Sequence, residues 1–210
     1  MRIAHVTANL GNFCNPHTVV SQELSGGMEL NYYAFNDRNF PPRDKVMSPR
    51  LQAKIPKMFG WQLAPGHDVY VWMDANFVMV GRTAVQWLMR QLGDYDIAVF
   101  SHPFRNTVKE EADFLREYIP SDFYLENRYR GEFLDEVVEL CYENLLFAAG
   151  VFAYKSNIKV HRMMKDWWYY VSRYHINDQL SLPHVLMNSN CSVKVIDGNI
   201  YTNGYFELQR

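Results

Sequence analysis

An apolar run, Asp68-Val-Tyr-Val-Trp-Met-Asp74, stops on a carboxylate, and a second short oxygen-bearing side chain, Asn76, follows two residues later. Strands buried in a parallel sheet read as continuous apolar runs, and polar groups at their carboxyl ends face the crevice where open α/β sheets bind ligands. With the two-residue period of a strand, Asp74 and Asn76 point the same way, so both oxygens can face one hard cation, Mn²⁺ or Mg²⁺. Water and phosphate oxygens would complete the shell of such an ion. The same Asp-x-Asn spacing also serves turns, so the metal-held diphosphate is an expectation to be tested against the fold.

Other chemistry-bearing residues cluster at the ends of apolar runs. Thr7-Ala8-Asn9 closes the first, Asn36-Asp37 the second, and Ser101-His102-Pro103, with Arg105 beyond, the fourth. Lys54 and Lys57 share a face at helical spacing and can supply positive charge to phosphates, or form a solvated face. Asp178-Gln179 follows a long aromatic segment; a carboxylate at a helix start can take a proton from a hydroxyl, or simply cap the helix. His102 and Arg105 are candidate substrate contacts, although Pro103 equally suggests a structural turn. Glu110 and Glu111 are weaker candidates.

The elements that must position these residues follow from periodicity and capping. Residues 2–7, 29–35, 68–73, 96–100, 145–154 and 192–196 read as strands. Ser48-Pro49 opens a helix that Pro56 should bend, and Thr83 to Leu92 reads as an amphipathic helix closed by Gly93. Thr107-Val-Lys-Glu110 is a capping box, a further helix is expected over 131–144, and Asn157 caps a helix reaching Tyr174. Asp178 is expected to start a short helix bent near Pro183. This alternation predicts an α/β fold with a mostly parallel sheet.

Taken in order, Thr7-Ala8-Asn9, Asn36-Asp37, the paired lysines, Trp72-Met-Asp74-Ala-Asn76 and Asp178-Gln179-Leu-Ser-Leu-Pro183 resemble a GT-A glycosyltransferase. They are most similar to the small glycosyltransferase-like domain family of plant mucilage and alkaline-ceramidase-type proteins, with bacterial and viral relatives. The resemblance runs from Arg2 to about Leu186 and is also carried by His102-Pro-Phe-Arg105, Glu110-Glu111-Ala112 and Trp167-Trp168. It implies one GT-A (Rossmann-like) domain over residues 1–210, with a mostly parallel central sheet flanked by helices. It also implies a nucleoside diphosphate sugar donor, with uridine as its usual nucleoside, and a divalent ion on Asp74 and Asn76. Donor contacts would come from Thr7, Ala8, Asn9, Asp37, Lys54, Lys57, Asp74, Asn76 and Gln179. Asp178 would act as base or touch the donor sugar. The chain departs from the family at Ala148-Ala149-Gly150, where an acid often precedes the glycine, and at Asn177-Asp178-Gln179, where Arg-Asp-Gln is common. His184, its last histidine, falls within the expected helix, where a core or surface role is favoured over ligation.

Composition narrows the classes. The chain has 210 residues, 48% hydrophobic, a formal charge of −2 and three cysteines, Cys14, Cys141 and Cys191, without CxxC spacing. That fits one domain with reduced thiols, a cytoplasmic setting and no globally basic nucleic-acid binder. The first apolar run is too short for a signal peptide, and the longest, Leu145 to Tyr154, is half the ~20 residues a bilayer span needs. Three readings stand: hexosyl transfer to a glycan or lipid precursor, transfer to hydroxylated DNA bases by a viral enzyme, and a catalytically silent binding module. The DNA reading requires Arg128, Arg130, Arg162, Lys165 and Arg173 to form one basic face, against Glu126, Glu132 and Asp166 nearby.

Overall fold

A computed structural model describes residues 1–15, 19–43, 47–118, 132–140 and 145–209, with the side chains of 132 and 133 left aside. The chain runs β1 (Arg2–Asn9), β2 (Glu29–Asn36), α1 (Pro49–Leu63), β3 (Val69–Met73), β4 (Phe77–Met79), α2 (Ala84–Leu92) and β5 (Ile97–Ser101). It continues through α3 (Val108–Tyr118), α4 (Glu132–Leu140), β6 (Phe147–Lys155), α5 (Ile158–Arg173), α6 (Leu182–Asn188), β7 (Val193–Ile196) and β8 (Phe206–Leu208). The central sheet has the order β2-β1-β3-β6-β5-β7, and β6 alone runs against its neighbours. The mostly parallel α/β sheet flanked by helices is therefore present.

Local chemistry sets most boundaries as expected. The Ser48 hydroxyl accepts from Leu51 N–H, Asn157 accepts from Lys159 and Val160 N–H, and Thr107 and Glu110 close a reciprocal capping box. Gly93, at φ 46°, ends α2 in a conformation other residues rarely adopt. In α1 the non-helical dihedrals fall at Phe59 rather than Pro56, beside Gly60, whose Cα closes onto Val6 and Tyr154. A methyl at Gly60 would lie 3.3 Å from both side chains. Two elements went unread: β4 and β8, three residues each, pair in a small antiparallel sheet that brings the polar tail back beside the central one. Strands that short carry too little periodicity to register.

The core splits across the sheet. Ala4, Val6 and Ala8 pack with α1, α5 and α6 on one face, while Ile3, Val71 and Met73 pack with α2 and β8 on the other. Both tryptophans expected from the aromatic segment, Trp167 and Trp168, belong to the first cluster, so the abundance of aromatics is largely core. β6 bulges between its pairings with Val99 and Phe100, and Gly150 within that bulge has no room for a Cβ, which would meet the Phe77 ring at 2.6 Å.

Candidate functional site

The strand period does not carry past Asp74. β3 ends at Met73, and Asp74-Ala75-Asn76 is a turn closed by Phe77 N–H donating to Asp74 O at 2.9 Å, so the expected alignment of the two side chains along a strand is corrected. The turn is anchored to the β6 bulge by Asp74 N–H donating to Gly150 O at 2.8 Å. Asp74 Oδ1 then accepts from the Trp72 indole at 2.7 Å and from Lys57 Nζ at 3.3 Å.

From the opposite side comes Asp178, whose Oδ2 lies 2.7 Å from Lys54 Nζ and 2.6 Å from Lys57 Nζ. The helical spacing on α1 does place both lysines toward one carboxylate. Lys57 is 1% exposed and sits 5.6 Å from the Trp72 ring centre and 5.8 Å from that of Trp167, whose indole donates to Asp178 O at 3.0 Å. Two ammonium groups and two carboxylates thus form a charge-balanced set, open to solvent at Asp74, whose side chain is 34% exposed. Burial alone pushes the Asp178 carboxyl up, but Lys54 and Lys57 outweigh it and hold it below the ordinary range. For Lys54 burial prevails and lowers its affinity for a proton, whereas for Lys57 the two carboxylates overcome burial and raise it.

Asp178 does not cap a helix. α6 begins at Leu182, Ser181 stands at its cap position, and the expected helix start at 178 is instead a turn in which the Asn177 side chain accepts from Gln179 N–H at 3.2 Å. The competing use as a cap is thereby removed, since the carboxylate reaches lysines rather than backbone N–H groups. This turn is pinned by Glu111, a residue rated weakly in the sequence and buried at 3% exposure: its Oε1 accepts from Asn177 Nδ2 at 3.0 Å and Gln179 Nε2 at 3.4 Å. Its other oxygen pairs with Arg105, whose guanidinium also lies 4.0 Å from the Phe114 ring centre. His102 Nδ1 accepts from the N–H of Arg105 at 3.1 Å, and burial with the Arg105 cation lowers its pKa to about 4. Both His102 and Arg105 therefore organise the wall beside Asp178. No periodic signal marks Glu111; only the return of the 177–179 turn onto α3 gives it partners.

Three of the donor-side candidates, Thr7, Asn9 and Asp37, line a cavity of about 630 Å³ between β1, β2 and β4, with Ala75 and Phe77 also among its walls, whereas Lys54, Lys57, Asp74, Asn76 and Gln179 lie outside its lining. Asn9 bonds both ways to Cys14, and Asp37 accepts from Gly11 N–H at 2.9 Å, so these two side chains shape the loop over the cavity. Gly11 is required there: φ is 67°, and a Cβ would meet Pro49 at 2.7 Å. Ala8 points to the opposite, apolar face and leaves the candidate set. His5, on the same face as Thr7 and Asn9, joins it; extending the two-residue alternation backward along β1 identifies it. His5 Nε2, Thr7 Oγ1 and Asn76 Oδ1 are buried with no hydrogen-bond partner among the described residues.

A divalent ion fits this arrangement poorly. Asp74 is the one charged oxygen donor of the expected pair, the Asn76 amide brings no charge, and Lys57 already occupies the attraction of Asp74. Among the described residues no three His, Cys, Asp or Glu side chains gather to hold a metal. His184 bonds Leu140 O and the Tyr170 hydroxyl, each at 3.0 Å, in a structural role. Cys14 and Cys191 are free thiols; Cys141 lies outside the described residues. So do Arg128 and Arg130, while Arg162 and Lys165 share the exposed face of α5 with Asp166, and Lys165 Nζ lies 5.8 Å from the Trp61 ring centre. No helix among the described residues is long and apolar enough to cross a membrane.

No family model and no curated protein matches the chain. Among solved structures it is similar to a glycosyltransferase involved in the glycosylation of the major capsid of PBCV-1, with a TM-score of 0.52 and 10% identity over 98% of this chain and 91% of that one. The chain therefore has a glycosyltransferase-like, Rossmann-type α/β fold.

Proposed function

We propose that the chain is a glycosyltransferase that moves a hexose from a nucleoside diphosphate sugar, in the first instance a uridine one, to an acceptor hydroxyl of a glycan or lipid precursor. The observation that carries this reading is the 74–77 turn, which joins the two parts of the site. Ala75 and Phe77 line the cavity while Asp74 belongs to the charged set, so a nucleoside held in the cavity leads its diphosphate to Lys54, the more open of the two lysines. His5 Nε2 and Thr7 Oγ1, buried and without a partner among the described residues, are suited to a nucleobase or ribose, and Asn76 Oδ1 to a sugar hydroxyl. The fold shared with the capsid-glycosylating enzyme supports transfer in general terms.

Asp178 supplies the acceptor chemistry. While both lysines hold it, its carboxylate is a weak base; as Lys54 turns to the diphosphate, the remaining pairing weakens and basicity rises. The acceptor oxygen then forms a bond to the anomeric carbon, the bond from that carbon to the diphosphate oxygen breaks, and the acceptor proton passes to Asp178. A panel of nucleotide sugars, followed for slow donor hydrolysis, tests the proposal. Hydrolysis or saturable binding of one donor supports it, and failure of every donor to bind would leave a silent module.

A further inference from the structure

Resting on the reading of this cleft as a diphosphate site, we infer that the buried Lys57 ammonium takes the place of the divalent cation that the GT-A resemblance implies, so that the chain binds a nucleoside diphosphate without a metal. Lys57 stands where a cation would be useful, 3.3 Å from Asp74 and 2.6 Å from Asp178, between the rings of Trp72 and Trp167. It has little freedom to leave, because both rings and both carboxylates favour a cation at that point. The surrounding carboxylates keep it protonated against its burial.

The charge count decides the preference. Lys54, Lys57, Asp74 and Asp178 sum to zero, so an incoming Mn²⁺ meets a neutral site with an ammonium beside its best ligand. Hard-cation sites gain affinity from the number of anionic oxygens offered, and here that gain is already taken. An anionic diphosphate meets the opposite situation: Lys54, its side chain 17% exposed, can turn outward while Lys57 continues to neutralise Asp178. The division of labour gives one fixed counter-ion and one exchangeable one.

Calorimetry on the whole chain separates this inference from the reading beneath it. Titration with MnCl₂ in the absence of nucleotide should show no saturation below about 1 mM, and UDP affinity should agree within about twofold in EDTA and in Mn²⁺. Lys57→Met tips the set to one net negative charge and should raise Mn²⁺ affinity by about tenfold or more. The wild-type titrations decide the matter even where that variant folds poorly. Mn²⁺ uptake by the free wild-type protein, or UDP binding strengthened about tenfold by Mn²⁺, would overturn the inference alone. Absence of UDP binding in both buffers would overturn it together with the nucleotide-sugar reading.

Discussion

The cavity wall and the charged set, separated only by the 74–77 turn, satisfy their polar groups in opposite ways. Along the cavity, His5 Nε2 and Thr7 Oγ1 are buried without a partner among the described residues, whereas Asp178 and Lys57 each meet two opposite charges within 3.3 Å. A buried polar atom left unpaired costs about 1–3 kcal/mol, and a ligand bearing complementary groups removes that cost on binding. A charge-balanced ion set behaves differently: a phosphate gains an ammonium only as a carboxylate loses it. The cavity is thus poised to gain from occupancy, and the charged set to exchange partners.

The largest test of this contrast is Asp178→Ala, which leaves the buried Lys57 with Asp74 as its one carboxylate partner in the set, at 3.3 Å, and should destabilise the fold by about 3–5 kcal/mol in urea unfolding. A loss below about 1 kcal/mol would show that the set is loosely held. Asp178→Asn keeps the shape, lowers transfer by about 10²–10⁴, and should tighten UDP binding because the internal competitor for Lys54 is gone. Weaker UDP binding in that variant would break the exchange model.

Acidification probes the cavity side. Burial lowers the His5 pKa from 6.5 to about 4, so the native ring stays neutral while the unfolded chain takes up a proton. Its stabilising contribution is complete above 6.5 and is lost as pH falls from 6.5 toward 4, by about 3 kcal/mol, an effect His5→Phe should remove. Burial and Arg105 lower His102 likewise, so the wall beside Asp178 adds loss in the same window. Asp178, held low, contributes above its unfolded value of 3.8 and loses that only at still lower pH, so its loss separates on the pH axis from that of the two histidines. Chemical denaturation at stepped pH reads both.

Smaller effects sharpen the comparison. Thr7→Val removes the unpaired hydroxyl at constant shape; stability should hold or rise slightly, while nucleotide affinity falls by about 2- to 12-fold, the value of one hydrogen bond. Lost stability with unchanged affinity would assign the hydroxyl to the fold. Outside both regions, Arg162→Ala should change stability by less than about 0.5 kcal/mol. Binding of hydroxymethylated duplex DNA should show a log–log salt slope near zero rather than about −0.9 per phosphate contact; a steep slope with transfer to the bases would revive the DNA acceptor.

Much of this arrangement was legible from residue order. Apolar runs located the six strands of the central sheet, Ser48 and Asn157 marked helix starts through short-range bonds, and the three-residue spacing of Lys54 and Lys57 put both ammonium groups on one side of α1. These features depend on neighbours within a turn or two, so local sequence determines them. The partners of those groups depend on distance through space. Lys54 and Asp178 are 124 positions apart, Glu111 meets Asn177 across 66, and β8 returns to β4 across the whole second half of the chain. Only the assembled sheet, with α1 laid on one face and the 175–181 turn held against α1 and α3, decides that Lys57 faces Asp74 and that Asp178 binds lysines instead of capping a helix. Charge and periodicity named the reactive groups; tertiary packing, by burying them together where ions must be paired, chose their partners.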